Sequence, residues 1–406
     1  MHAESEPSCV QKTSTWPFYT ELTQQRVAEL VRQGRTYSSV EDPDICRFER
    51  DFAALLSPGH HGVFCSTGTS ALYSAYFSLG LDPGGEVIVP TNTFRATVTP
   101  LLLLNLRPVF CDATKPHGEL NLMMAESLIT SRTQALVLAH MWGHLGDMIQ
   151  ARRIADRYSI ALVEDCSHAH GSSRDGVAVG SLADVAIFSV GTKKLVSGGN
   201  GGMLLSRNRQ VIERALLLGH PRARITGLIS DPELLPFVST GWGANFRGSP
   251  ISAVLALDHL DRLDETLRIK AAHAKTLAAC LERCIPELVP LVPIESARRS
   301  GLYALKYHWR GEGVSAITLV EQMRAGGVPC TASSPPLHLQ PIFQTPPRTS
   351  VFAGAPDAPV VNHDFPVAES MARTQVEIES RALYRDDDTS QRYAEAIERV
   401  AEHLFL

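Results

Sequence analysis

Little in this sequence points to a nucleic acid or a membrane. Neither sign of charge dominates: 38 lysines and arginines face 43 aspartates and glutamates, a formal net charge of -5. A basic groove for nucleic acid or a basic face for lipid is therefore not expected. No apolar run is long enough to cross a bilayer, because the greasiest stretch, Ala96 to Leu106, is broken by Thr99, Pro100 and Asn105. The opening MHAESEPSC is polar and lacks the apolar core of a signal peptide, so a cytoplasmic protein is expected. The eight cysteines are scattered. Only Cys280 and Cys284 lie close together, four apart on a predicted helix, which reads as reduced thiols rather than a disulfide framework. The first strand-to-helix turn carries neither the G-x-G-x-x-G of a nicotinamide dehydrogenase nor a nucleotide P-loop. There is no internal repeat.

What is there reads as a globular chain, 44% hydrophobic and 20% charged. A first helix is expected through TELTQQRVAELVRQG, stopping at Gly34. From about residue 60 to 205, short apolar runs alternate with helical stretches. The expected strands are VFC (63–65), EVIV (86–89), PVFCD (108–112), ALVLA (135–139), IALVED (160–165), DVAIFS (184–189) and GMLLS (202–206). Such alternation implies a largely parallel sheet covered on both faces, with ligands at the carboxyl ends of its strands. After residue 250 the texture changes to long helical material, a strand within LYALKYHWR, a Pro-rich loop PPLHLQPIFQTPP and an amphipathic final helix YAEAIERVAEHL. The organisation read from this is an N-terminal extension (1–19), a large α/β domain (20–250) and a smaller C-terminal α+β domain (251–406).

Four motifs carry chemistry. FSVGTKKLVSGGNGG (188–202) puts two lysines in a loop of glycines and small polar residues between two strands. A surface lysine pair is ordinarily a solvated face. A buried lysine loses its proton more readily, which Schiff-base chemistry requires. VEDCSHAHG (163–171) leaves an apolar strand with Glu164 and Asp165 adjacent. Adjacent strand residues face opposite sides, so they do not make a paired acid and base, and one carboxylate aimed at a cationic nitrogen fits better. Neither His168 with His170 nor His140 with His144 has partners at ligand spacing, so no metal is expected. CSTGTSAL (65–72) leads from a strand into a helix through small residues, a turn whose free amides suit a phosphate. VPTNTFRAT (89–97) places Phe94 after a strand end, either as core or to stack on a flat ring.

These motifs, in this order, resemble the DegT/DnrJ/EryC1/StrS aminotransferases, from about residue 15 to the end of the chain. The family is known for pyridoxal 5'-phosphate (PLP) enzymes of fold type I that install amino groups on sugars and cyclitols. In the family's lysine loop the lysine stands six residues after the first aromatic and five before a Gly-Glu-Gly-Gly. From Phe188, and back from Gly199, both spacings select Lys194 over Lys193. The resemblance implies that Lys194 holds PLP as a Schiff base, Asp165 pairs with the pyridine nitrogen and His168 contacts the ring hydroxyl. It further implies that Gly68, Thr69, Ser70 and Ser189 hold the phosphate and Phe94 stacks on the ring. GWGANFRGSPISA (241–253) resembles the family segment whose asparagine, here Asn245, reaches the cofactor of the neighbouring subunit, which implies a homodimer with shared sites. Trp142, Arg247 and His338 are candidate substrate contacts, His338 lying in a family substrate loop. The tail FPVAES…IESRALYRDDD is closer to the cyclitol and aminohydroxybenzoate branch.

One position departs from the pattern: Asn200 stands where the family has Glu in Gly-Glu-Gly-Gly. Lys194 itself argues against the family's dehydratases, in which histidine replaces lysine. The expected activity is transfer of an amino group from Glu or Gln to a keto group of a sugar, cyclitol or related secondary-metabolite intermediate. Asn200 keeps elimination, cyclisation or carbon–carbon bond formation on the same scaffold as an alternative. A non-catalytic PLP-binding or regulatory protein is a second alternative.

Overall fold

The computed structural model describes residues 16–37, 41–56, 59–292, 301–344, 363–380, 383–384 and 387–404. Most of the N-terminal extension, the end of the Pro-rich loop and Arg381, Ala382, Arg385 and Asp386 of the tail lie outside the described residues.

All seven apolar runs form strands of one sheet: β1 (His61–Cys65), β2 (Glu86–Pro90), β3 (Arg107–Cys111), β4 (Thr133–Ala139), β5 (Ala161–Asp165), β6 (Val185–Ser189) and β7 (Gly202–Ser206). Their order is β1-β7-β6-β5-β4-β2-β3. Only β7 runs against the rest: its pairings with β1 and β6 are antiparallel, and the other four pairings are parallel. Side chains alternate between two cores, as a pleated sheet covered on both faces requires. Ile88, Leu136 and Leu138 join one core with Phe48 and Phe52 of helix α2 (Pro43–Leu56). Val87, Val89 and Val137 join the other with Ala71, Leu72, Ala75 and Tyr76 of α3 (Gly68–Ser78). The first helix, α1 (Glu21–Arg32), starts on a Thr20 cap and ends two residues before Gly34.

A third core belongs to a smaller antiparallel sheet, β8 (Leu288–Pro290), β9 (Leu305–Trp309), β10 (Cys330–Ala332) and β11 (Gln375–Ile378), ordered β8-β9-β11-β10. The C-terminal helix packs Ala396, Ile397 and Val400 into this core, with Ala394 and Ala401 at its margin. The architecture is thus the expected one, a mostly parallel seven-stranded sheet with a smaller α+β unit. Helices α4 (Pro250–Asp261) and α5 (Leu263–Cys284) link the two. Ala253 to Leu267, beyond the 250/251 boundary read from the sequence, pack in the large-sheet core, whereas Ala274 onward packs in the small one. Among the described residues, no helix is long and apolar enough to cross a membrane.

Candidate active site

The carboxyl ends of β1, β2, β4, β5 and β6 open on one side of the sheet, and a cavity of about 500 Å³ lies there. Gly68, Thr69, Phe94, Asp165, His168, Ser189 and Lys194, seven of the residues singled out from the sequence, line it.

At the end of β1 the chain enters α3 through a capping box. The Ser70 amide donates to Thr67 Oγ1 at 2.9 Å, and the Thr67 amide donates back to Ser70 Oγ at 2.9 Å. Ser70 is therefore spent on the cap and does not line the cavity, while Gly68 and Thr69, the first residues of the helix, do. Small side chains are needed here. A Cβ on Gly68 would lie 2.7 Å from Ser189 Cβ, and one on Gly202 would lie 2.4 Å from the Thr67 carbonyl oxygen. A helix start stripped of side chains in this way exposes amide hydrogens and the positive end of the helix dipole, which suits an anion.

Glu164 and Asp165 face opposite ways. Glu164 turns into the fold, where its Oε2 lies 2.9 Å from His140 Nε2 and accepts from the Gly180 amide at 2.8 Å. His140, Glu164 and Cys166 stand close enough to share a metal ion. However, the His140 ring nitrogens face Glu164 and the Gly146 amide, so the histidine has no free lone pair to offer. Asp165 turns to the cavity. Its Oδ2 accepts from Thr97 Oγ1 at 2.7 Å and its Oδ1 from the Ser167 amide at 3.1 Å.

The two lysines of the loop separate clearly. Lys193 is exposed and Lys194 is partly buried. Burial in the cavity pulls the Lys194 amine down to about 8; Asp165 pushes the other way and Lys193 adds to the fall. Its ammonium lies 4.7 Å from the ring centre of Tyr303, which comes from the small domain. The same Tyr303 ring stacks on His168 at 3.7 Å, nearly parallel at 5°. His168 Nδ1 accepts from the Trp142 amide at 3.2 Å. Burial, then Lys194, hold its imidazole well below the usual range, so the ring is neutral with its hydrogen on Nε2. Asn200 is exposed at the edge of the cavity between Gly199 and Gly201.

Four candidates sit elsewhere. Trp142 lines a second cavity of about 500 Å³, which shares Phe94 and Met141 with the first. His338 is buried, with Nδ1 2.6 Å from Thr91 Oγ1 and its ring stacked on Phe365 at 4.0 Å. Arg247 lies 4.1 Å over the ring of Tyr37. Asn245 is exposed and does not line its own chain's cavity.

Thr97, Tyr303 and Lys306 stand at the two cavities or against their lining but were not singled out from the sequence, although Thr97 closes the motif VPTNTFRAT. Lys306 is buried on β9, donating to Ser333 Oγ at 2.9 Å, 3.2 Å from Glu377 Oε2 and 4.4 Å from the Trp142 ring centre. A lysine inside the apolar strand LKYHW was the available signal, because such a residue stays buried only with partners. Together, the first cavity offers an amine that loses its proton easily, a fixed carboxylate, free amides and a half-exposed aromatic ring.

The model of the DegT/DnrJ/EryC1/StrS aminotransferase family matches residues 19–388. A Streptomyces fradiae protein named L-glutamine:2-deoxy-scyllo-inosose aminotransferase is 32% identical over 278 residues, 66% of this chain and 66% of that protein. A protein of the same name from Streptoalloteichus tenebrarius is 26% identical, covering 97% of this chain and 96% of its own length. The solved structure of 3-amino-5-hydroxybenzoic acid synthase matches with a TM-score of 0.79 at 25% identity, over 96% of this chain and 98% of that one. An aminotransferase from Psychrobacter cryohalolentis matches in fold with a TM-score of 0.82 at 22% identity, over 97% and 100%.

Proposed function

Since the chain belongs to the DegT/DnrJ/EryC1/StrS aminotransferase family, we propose that it moves an amino group from glutamine or glutamate to a ketone on a sugar or cyclitol ring, with PLP in the first cavity. The observation that carries this reading is the pairing, in one cavity, of a lysine amine lowered to about 8 with a buried carboxylate. The glutamine donor and cyclitol acceptor in the names of the Streptomyces and Streptoalloteichus relatives support it. When bound, PLP supplies the electron sink that makes the donor's Cα proton removable and carries the amino group between substrates.

The residues fit that cofactor. Lys194 Nζ is the amine that would hold it, and once displaced would take the proton from the donor Cα and, in the second half of the reaction, give one to the carbon that was the acceptor's ketone. The Asp165 carboxylate, fixed by Thr97 Oγ1 at 2.7 Å, would keep a proton on the ring nitrogen. The Gly68 and Thr69 amides, with the Ser189 hydroxyl, would bind the phosphate, and Ser70 positions that turn through the capping box. His168 would present its Nε2 hydrogen to the ring hydroxyl, because the Trp142 amide occupies Nδ1. Phe94, half exposed at the mouth, would stack on the ring. Asn245 is exposed on its own chain, which suits service to a partner's cofactor in a homodimer.

The test is spectroscopic. L-glutamine alone should bleach the cofactor's long-wavelength absorbance, and a keto acceptor should restore it. A holoenzyme that no amino donor bleaches would favour elimination or carbon–carbon chemistry on the same scaffold.

A further inference from the structure

The second cavity has a different character from the first. Its uncharged polar lining is rich in hydroxyls and amides, among them those of Thr91, Asn92, Thr331, Ser333, Ser334 and Gln340. Its volume of about 500 Å³ is in the range of small-molecule sites. Because Phe94 and Met141 line both cavities, a ring seated in the second can present a ketone to the first.

A balanced ion pair lines the second cavity. Lys306 Nζ donates to Ser333 Oγ at 2.9 Å and lies 3.2 Å from Glu377 Oε2. Two of the three ammonium hydrogens are thereby engaged, and one remains. Ser333 is in turn fixed by donating to Gln375 Oε1 at 3.0 Å. Such a group can donate to a ring hydroxyl while Glu377, partly exposed, accepts from a neighbouring one. The pair leaves no surplus positive charge for phosphates. A diphosphate calls for unpaired cations, best of all arginine forks. Among the lining residues only Arg95 offers one, and it is exposed with its guanidinium 4.7 Å over the Phe94 ring.

We propose that the second cavity seats the ring of the amino acceptor, and that Lys306, held by Glu377 and Ser333, selects an uncharged, hydroxyl-rich carbocycle over a sugar carried on a nucleoside diphosphate. The proposal rests on the aminotransferase reading for its chemistry, but not for its binding. Lys306 also packs against Trp142, which holds a left-handed φ of 59° and gives its amide to His168. A non-glycine residue in that conformation persists only where its surroundings hold it. The seat of the acceptor ring is thus built onto the cofactor cavity rather than beside it.

Holoenzyme, Lys306→Met and Ser333→Ala should be compared by calorimetry with scyllo-inositol, a ring with every hydroxyl and no ketone. Turnover should then be followed with a keto-inositol and with a nucleoside-diphosphate keto sugar. Lys306→Met should weaken inositol binding and raise the keto-inositol KM by about tenfold or more, the worth of a charged hydrogen bond. The loss should fall mainly on the acceptor half-reaction, so the keto-inositol KM should move by a larger factor than the rate of bleaching by L-glutamine. Ser333→Ala should move the same quantities the same way by about threefold, and decides the matter if Lys306→Met folds poorly. The wild type should prefer the keto-inositol. Absence of inositol binding, unchanged binding in both variants, a preference for the nucleotide sugar, or an equal loss in the glutamine step would each overturn the proposal. If no donor bleaches the wild type, the aminotransferase reading fails, and inositol binding still decides this one.

Discussion

Two lysines, Lys306 buried and Lys194 partly buried, stand on either side of the wall between the cavities, and they are held in opposite ways. Lys306 is tied by Ser333 and Glu377. Lys194 has no hydrogen bond to its ammonium among the described residues, only the face of Tyr303 beneath it. Burial lowers both amines, but for Lys306 the main opposing effect is a bonded carboxylate, and for Lys194 a more distant one, Asp165. A tied ammonium is suited to grip a ligand. A loosely held amine near neutrality is suited to react.

The sharpest way to break this contrast is to delete each lysine. Lys194→Ala should abolish the cofactor's long-wavelength band and lower turnover by at least about 10³-fold, whereas Lys306→Met should retain the band. Loss of the band in the second variant and not the first would reverse the assignment. Mixing inactive Lys194→Ala with Asn245→Ala chains comes next. If Asn245 serves the partner's site, each mixed dimer regains one intact site, roughly half the wild-type activity per dimer. Recovery no greater than that of the separate proteins would mean that sites are not shared.

Asp165 then asks whether the opposing carboxylate matters to the reactive lysine. Asp165→Asn should cut kcat by about 10²-fold, and Thr97→Val, which removes one hydrogen bond from it, by about tenfold. The pH dependence reads Lys194 directly. In apoprotein the neutral amine is the nucleophile, so PLP capture should accelerate with rising pH and level off above about 8. The smallest effect belongs to Lys193→Ala. Removing that like charge should move the plateau slightly upward, since Lys193 lowers its neighbour, with little change in turnover.

The large sheet was legible because each strand is a short apolar run bounded by turns, and runs such as EVIV remain apolar when both faces are covered. Of the small sheet only LYALKYHWR stood out. Its other strands are three or four residues long, as in Cys330–Ala332, and Gln375–Ile378 carries polar residues that pair with Ser333 and Lys306. Site residues within motifs were legible for the same local reason. Tyr303 and Lys306 lie outside those motifs, and Thr97, though it closes VPTNTFRAT, was no more legible, because the meaning of all three comes from partners remote in sequence, as when Thr97 meets Asp165 or Tyr303 meets His168. Ser70 shows the converse, since its place in a phosphate motif hides its use in capping.

The one reversed strand of the sheet has a mechanical consequence. β6 and β7 run side by side in opposite senses, so Ser189 and Gly202 pair at the base of the lysine loop. Within the loop the Val190 amide donates to the Gly201 carbonyl at 3.0 Å, and the Gly198 amide donates to Val190 at 2.8 Å. The Lys194 amide donates to Gly191 at 2.9 Å. Both ends of the loop are anchored and its middle is cross-braced. The main chain beneath Lys194 is therefore a fixed pivot, and any stroke the amine makes belongs to the four carbon–carbon bonds of a single side chain.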